Sequence, residues 1–580
     1  MNWVKRVQTT IYGETKKEPS IYEFNDRDID SLIPDRKLGN GYDDYFNGDI
    51  YETPPSKNAQ EWEVNSSNMP YLTHIKSLCI GWPHLRYLAE WMEVTTSPTK
   101  WQLYRKVSAT DREIYRNKRA RRTKVKALDF SPGNPVKVGL GIDNPDDLAE
   151  HLDQPPDPSV TRLYIVEDLS RDVIEHLGTK LDIDPLFFRE HINDYTWYNA
   201  RDPWVELPDL DVVSRSRPYF RLMYMQPRYF TSRESFDKAR RQAGRFNVLR
   251  RLDEDNEHES LFDDESATIA LVRSKTSFWI RPASDTQPAI GVLLVDPSIT
   301  EGLPLWRGYR PFRNSPTLSN KTPFEVQPRT SLFDDLIFWI TQTSQEDIDA
   351  IEHNPSAMSF RILEVICAEW LTLSRYITSR LGQIEWEIEK PDLFQVKKPD
   401  LQDAINFNTS LKKLHTWRRR LPIYKSMVAD TVAKIFPNDE SSSDRKDCIA
   451  DLRKDFQIVA GHFDDLLSRT ERIATVATAV TAIEESRRAI EQNKTLGRLT
   501  YLAVIFAPLS FVSSFFSMST DLAGLTQTIW VYFCVAVPIS FFVYLLVDKN
   551  WTNNMQGAYN KTKEAKHTAK LHYQQHHQKG

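Results

Sequence analysis

The chain has 580 residues, with 75 Lys and Arg against 80 Asp and Glu, a net charge of -5. That balance excludes a protein built chiefly to bind nucleic acid, and four cysteines, at 79, 367, 448 and 534, fit neither a metal ribbon nor a redox pair. The mean hydropathy of -0.52 describes a water-soluble average and conceals two apolar stretches near the C-terminus.

Residues 1–155 are rich in polar, Pro and aromatic residues without sustained periodicity, and are expected to form a variable, partly disordered N-terminal extension. Met1 to Glu14 lacks the apolar core of a cleavable signal. The basic run Arg105 to Lys126 is open to three readings: a solvated helix face, a contact with anionic lipid, or a nuclear address.

An α/β cytoplasmic domain is expected over 156–345. Leu163 to Val166 reads as a strand, Ser170 as the cap of a helix to Leu177 with Gly178 just past its end, and Asp184 with Pro185 as the start of a second helix through His191. Tyr219 to Met225, Ile269 to Arg273, Ser277 to Ile280 and Ile290 to Val295 read as strands of a mixed or antiparallel sheet, with Ser274, Lys275 and Thr276 as a hairpin turn.

Residues 346–498 read as a helical stalk domain. It comprises helices over Phe360 to Glu387 and Leu401 to Ile435, the latter interrupted by Pro422, and one long helix from about Ile449 to Met518. At about 1.5 Å per residue that helix would be roughly 105 Å long. Ile449, Leu452, Phe456, Val459, Phe463, Leu466, Thr470, Ile473, Ala477 and Val480 follow at steps of three and four. This seam suits packing against the chain's own helices or against another copy.

Leu499 to Met518 and Thr528 to Val547 each have the length of a membrane-spanning helix, and Asp521, in the 519–527 connection, is the only side chain charged at neutral pH between Leu499 and Val547. The pair reads as a transmembrane hairpin. Basic residues flank it on both outer sides, which predicts cytoplasmic termini, including the 548–580 tail. On the first span Gly497, Thr500, Ala503, Ala507, Ser510, Ser514 and Ser517 share one side, opposite Leu502, Ile505, Phe506, Leu509, Val512, Phe515 and Phe516. The small side suits close helix packing or a narrow aqueous path equally. Two helices enclose no interior, so conduction would require several copies.

The stretch Phe506-Ala507-Pro508-Leu509-Ser510-Phe511-Val512-Ser513-Ser514-Phe515-Phe516-Ser517-Met518-Ser519, preceded by a long helix containing Glu484-Glu485-Ser486-Arg487-Arg488, resembles the CorA-type magnesium transporters, and their fungal relatives in particular. Leu163 to Leu169 and Leu181 to Phe188 are similar to the same group. The resemblance covers roughly 160–550. It implies an α+β cytoplasmic domain followed by long stalk helices and a C-terminal two-helix transmembrane hairpin, assembled as a homopentamer in membrane lipid, most simply the plasma membrane. It further implies a channel for magnesium or another divalent cation, with no enzymatic activity, no cofactor and no nucleic acid partner. Thr500, Ala503, Ala507, Ser510 and Ser514 would line the pore, Ser517, Met518 and Ser519 would form the selectivity motif, and Asp521 would stand at the outer mouth as an acid. Here the chain departs from the family's Gly-Met-Asn, losing the glycine's backbone freedom and the asparagine's carboxamide. The alternative is a membrane-anchored scaffold or signalling protein that keeps the architecture without conducting.

Overall fold

A computed structural model of the chain describes residues 66–95, 109–142, 144–154, 156–192, 210–248, 250–255, 266–284, 287–306, 315–319, 331–389, 402–436, 448–517 and 525–547. It divides into two compact units, Met1–Ile473 and Ala474–Gly580.

In chain order the first unit begins with α1 (Pro70–Leu78), α2 (Arg86–Val94), α3 (Ala109–Ala120), β1 (Lys124–Phe130), β2 (Lys137–Ile142), α4 (Pro145–Asp153) and β3 (Thr161–Glu167). It continues with α5 (Arg171–Leu181), α6 (Pro185–Ile192), α7 (Asp211–Ser216), β4 (Tyr219–Phe230), α8 (Arg233–Arg245), β5 (Arg251–Asp255), β6 (Thr268–Arg281), β7 (Ile290–Val295) and β8 (Leu303–Pro304). The helices α9 (Leu332–Thr341), α10 (Gln345–His353), α11 (Phe360–Glu389) and α12 (Gln402–Ile435) follow, then α13 (Cys448–Ser517) and α14 (Leu525–Val547).

The strands form one mixed sheet in the order β2-β1-β3-β7-β6-β4-β8, with β5 also paired to β6. β3 and β7 run parallel, while the other named pairs are antiparallel. Along β3, Tyr164 and Val166 join a core cluster with residues of α1, α2, α5 and α6. Leu163 and Ile165, which alternation turns to the opposite face, are equally buried. On that opposite face Gly291 lies against Met358 and Leu163, where a Cβ would crowd both. Both faces of the central strands are therefore covered, which is why β3 and β7 read as unbroken apolar runs.

Local chemistry sets the helix starts. The Ser170 hydroxyl accepts from the Val173 N–H at the start of α5, and the Asp184 carboxylate accepts from the Leu186 N–H at 2.9 Å beside Pro185. Ser232, Ser331 and Ser344 cap α8, α9 and α10 in the same manner.

Four sequence expectations are corrected. The ordered fold begins well before residue 156. Leu72, Ile75, Leu88, Trp91 and Met92 lie in the core, and β1 and β2 extend the sheet past β3. These elements are short, six to twelve residues, and so leave no long periodic signature. Ser274, Lys275 and Thr276 are not a turn. They sit buried within β6, where the Lys275 N–H donates to the Asp296 carboxylate at 2.8 Å and the Thr276 hydroxyl donates to the Leu294 carbonyl at 2.9 Å. Pro422 does not interrupt α12, which runs through it.

Gly178, expected past the end of a helix, lies inside α5, which ends instead at Asp182 in a left-handed conformation. Its hydrogen leaves room for the Tyr71 ring, with which a Cβ would overlap. The same junction is fixed by the Glu175 carboxylate, which accepts from the Tyr71 and Leu72 N–H groups at 2.8 and 2.9 Å and so caps α1 from a neighbouring helix. Alanine is the better helix former by roughly 1 kcal/mol, yet Gly178→Ala is expected to lower stability by about 1–3 kcal/mol through overpacking. Thermal melting of the full-length protein against wild type checks the sign.

The basic run is solvated in part: Lys118 and Arg121 are exposed, and Arg105 and Lys106 lie outside the described residues. Arg119 and Arg122 are buried. Arg119 donates to the Thr95, Arg245 and Phe246 carbonyls at 3.1–3.2 Å, and Arg122 to the Arg245 carbonyl at 2.6 Å. Two of its cations thus close the C-terminal end of α8, where a helix favours positive charge. Beside them Asp168, buried and at φ 59°, accepts from the Asn247 and Val248 N–H groups. Burial pushes its carboxyl up to about 7, against the pull of those donors and of Arg122 and Arg119.

Candidate functional site: the C-terminal apolar helices

The predicted seam on α13 is buried within the first unit from Leu452 through Phe456, Val459, Phe463, Leu466 and Thr470 to Ile473. Phe463 packs edge-on against Trp370 of α11, with ring centroids 5.4 Å apart, and also against Tyr424 of α12. Ion pairs flank these contacts: Arg469 with Glu385, Arg418 with Glu471 at 2.9 Å, and Lys425 with Asp464 at 2.5 Å. Of the two readings of this seam, packing against the chain's own helices is the one observed.

In the second unit α13 continues through the first apolar stretch to Ser517, and α14 contains the second. Among the described residues one helix, Asp451–Ser514, is long and apolar enough to cross a membrane, and 6% of its most apolar stretch is buried; the apolar run Trp530–Val543 of α14 is shorter. The two helices meet. The Tyr532 hydroxyl donates to the Leu509 carbonyl at 3.2 Å, and Val512 and Ala536 are both buried. This joint follows directly after Pro508, whose missing N–H leaves a carbonyl of the preceding turn without its helical donor. The carbonyl so freed is that of Val504, whereas Tyr532 bonds that of Leu509; a tyrosine inside an apolar span needs a partner for its hydroxyl, and the Leu509 carbonyl supplies it.

The small side points away from that joint. Thr500, Ala503, Ala507, Ser510, Ser514 and Ser517 are all exposed, whereas Val504, Pro508 and Leu509 are half-buried. The Thr500 hydroxyl donates back to the Leu496 carbonyl at 2.9 Å, so its outward-facing capacity is its lone pairs. Bulky groups are exposed as well: Phe506 and Phe511 flank the small side, and Phe533 and Phe541 lie on α14. Met518, Ser519 and Asp521 lie outside the described residues, so the structure brings together the five expected pore-lining residues and Ser517 alone of the motif. No cluster of three or more metal-ligating side chains occurs among the described residues.

A mixed α+β unit, three long packed helices and a terminal pair of apolar helices define the class of protein. Residues 330–549 of the chain match the family model described as CorA-like Mg2+ transporter protein. Among solved structures it is similar to the CorA magnesium transporter from Methanocaldococcus jannaschii, at 12% identity over 73% of this chain and 98% of that one, with a TM-score of 0.35. It is also similar to the full-length CmaX protein, at 10% identity over 73% and 97%, with a TM-score of 0.34. No curated protein matches it.

Proposed function

We propose that the chain is a membrane channel or transporter for divalent metal cations of the magnesium type, oligomeric, with its pore lined by the first span. The observation that carries this reading is the placement of α14: it covers the bulky side of α13 at Leu509 and Val512 and leaves Thr500, Ala503, Ala507, Ser510 and Ser514 outward. A small, hydroxyl-bearing side that the chain's own second helix does not use is available to line a path between copies. The matched family's description supports the cation class. The second span returns the chain through the bilayer, both termini stay in the cytoplasm, and the plasma membrane is the proposed site. A homopentamer follows from the family likeness. In such a ring Ser517, Met518 and Ser519 would meet an ion that keeps its water shell, since magnesium dehydrates reluctantly, and Asp521 would add negative charge at the outer mouth.

Uptake of magnesium, cobalt or nickel into vesicles containing the purified protein tests this. Flux driven by an inside-negative potential is expected, and silent vesicles bearing correctly assembled oligomers would overturn the proposal. A second reading draws on Ser517-Met518-Ser519 standing where the family has Gly-Met-Asn: a non-conducting, membrane-anchored scaffold. The double variant Ser517→Gly with Ser519→Asn separates the two, because a scaffold would gain conduction and a channel would already possess it.

A further inference from the structure

One row of residues crosses the sheet at the N-terminal end of β3. Pairing sets Lys137 of β2 opposite Asp129 of β1, Asp129 opposite Arg162 of β3, Arg162 opposite Ile290 of β7, and Ile290 opposite Arg281 of β6. Residues so paired turn to one face. It is the face that α4 covers, since Ala127 and Tyr164, two positions along from Asp129 and Arg162, share a core cluster with Leu148 of α4. The row holds three cations and one acid. Asp129 is taken up by Arg162, accepting from its Nε and Nη2 at 2.6 and 2.9 Å. The third guanidinium nitrogen, Nη1, is buried without a hydrogen-bond partner, on a residue only 8% exposed. Arg281 Nε and the Nε2 of His151 on α4 are buried and unpartnered in the same way. Among the described residues no carboxylate pairs with Arg281, and burial pushes its pKa down. Tyr164 marks where these groups converge. The His151 ring meets it edge-on with centroids 5.8 Å apart, and Arg162 and Arg281 both pull its pKa down against the larger effect of burial.

We infer that Arg162 and Arg281, with His151 and the Tyr164 hydroxyl beside them, bind an oxyanion of the phosphate class over Ile290. A guanidinium offers donors only, so its buried and unpartnered nitrogens call for an acceptor. Water would supply one and leave the charge unanswered. An anion answers both. The Cα atoms of the two arginines lie two strand spacings apart, roughly 10 Å, so their side chains can approach one anion from opposite sides. Planar guanidinium groups match paired phosphate oxygens. The charge of a phosphate monoester, about -1.5 to -2, also matches the surplus of the row, three cations less one acid. These contacts reach the phosphate alone, so free phosphate and a phosphate carried on a nucleotide or a lipid headgroup present the same chemistry to them. The row lies wholly within the first unit, and the inference is independent of ion passage.

Isothermal titration calorimetry on the full-length protein in detergent, at fixed ionic strength, tests it with inorganic phosphate, adenosine monophosphate and short-chain phosphatidic acid as probes. Saturable binding is expected, and whichever probe binds most tightly identifies the source of the phosphate. Arg281→Gln removes a cation that holds no ion pair among the described residues, and is expected to weaken that binding about tenfold or more. Arg162→Lys keeps a charge beside Asp129 but loses Nη1, and is expected to weaken it about as much. The control is Arg241→Gln, an exposed cation of α8, expected to stay within about twofold of wild type. Absence of saturable binding for every probe in folded protein overturns the inference. So does binding that Arg281→Gln weakens no more than Arg241→Gln does.

Discussion

Asp255→Ala is expected to destabilise the first unit by about 3–5 kcal/mol, the usual cost of stranding one partner of a buried ion pair. Asp255 at the end of β5 and Arg380 of α11 are 3% and 2% exposed. The Arg380 Nε donates to the carboxylate at 2.8 Å, and the Tyr376 hydroxyl donates to it at 2.6 Å. Burial and the neighbouring Asp255 hold the tyrosine well above its ordinary pKa, so it remains a neutral donor at any physiological pH. Removing the acid leaves a guanidinium and a phenol facing a cavity. Replacing both ions, as in Asp255→Leu with Arg380→Met, is expected to recover most of the loss, because the pair's attraction chiefly offsets its own desolvation. Tryptophan-monitored thermal unfolding of the full-length protein in detergent orders wild type, double and single variants. A single variant as stable as wild type would show that the pair does not hold sheet to helix.

Ser510→Leu is expected to cut cation flux by about tenfold or more while leaving the number of copies unchanged. An apolar constriction in a narrow pore closes it by expelling water, and a ring of leucines at a hydroxyl position supplies one. The control is its neighbour Phe511, 74% exposed and turned roughly 100° around the helix. Phe511→Leu exchanges one lipid-compatible group for another and is expected to leave flux within about twofold of wild type. Vesicle uptake read beside native mass separates a blocked pore from a lost oligomer. Equal flux in Ser510→Leu and wild type would remove the small side from the conduction path.

The elements legible in the sequence were those whose signal is local or long. Ser170, Asp184 and Pro185 announce helix starts because capping depends on a few neighbouring residues, and the 70-residue α13 is legible because no break interrupts it. What escaped depended on distant partners. The polar triplet Ser274 to Thr276 looks like a turn until Asp296 and the Leu294 carbonyl are seen to satisfy it. Arg119 and Arg122 look like solvated surface until the end of α8 arrives to receive them. At the candidate site the sequence distinguishes a small side from a bulky one but not which of them α14 covers. That choice is made by the Tyr532 hydroxyl and by Val512 and Ala536, contacts with no counterpart in local spacing.

The position of β1 has a practical consequence. It pairs along the whole of β3, from Lys124 opposite Glu167 to Phe130 opposite Thr161. Trimming the polypeptide to the conventional-looking start near residue 156 would strip that neighbour and bare a row of amide and carbonyl groups on one of the most apolar strands of the sheet. It would also uncover the greasy patch that α1 and α2 shield. Such an edge recruits strands from other molecules, so shortened versions of this protein would tend to clump, for reasons unconnected with ion passage.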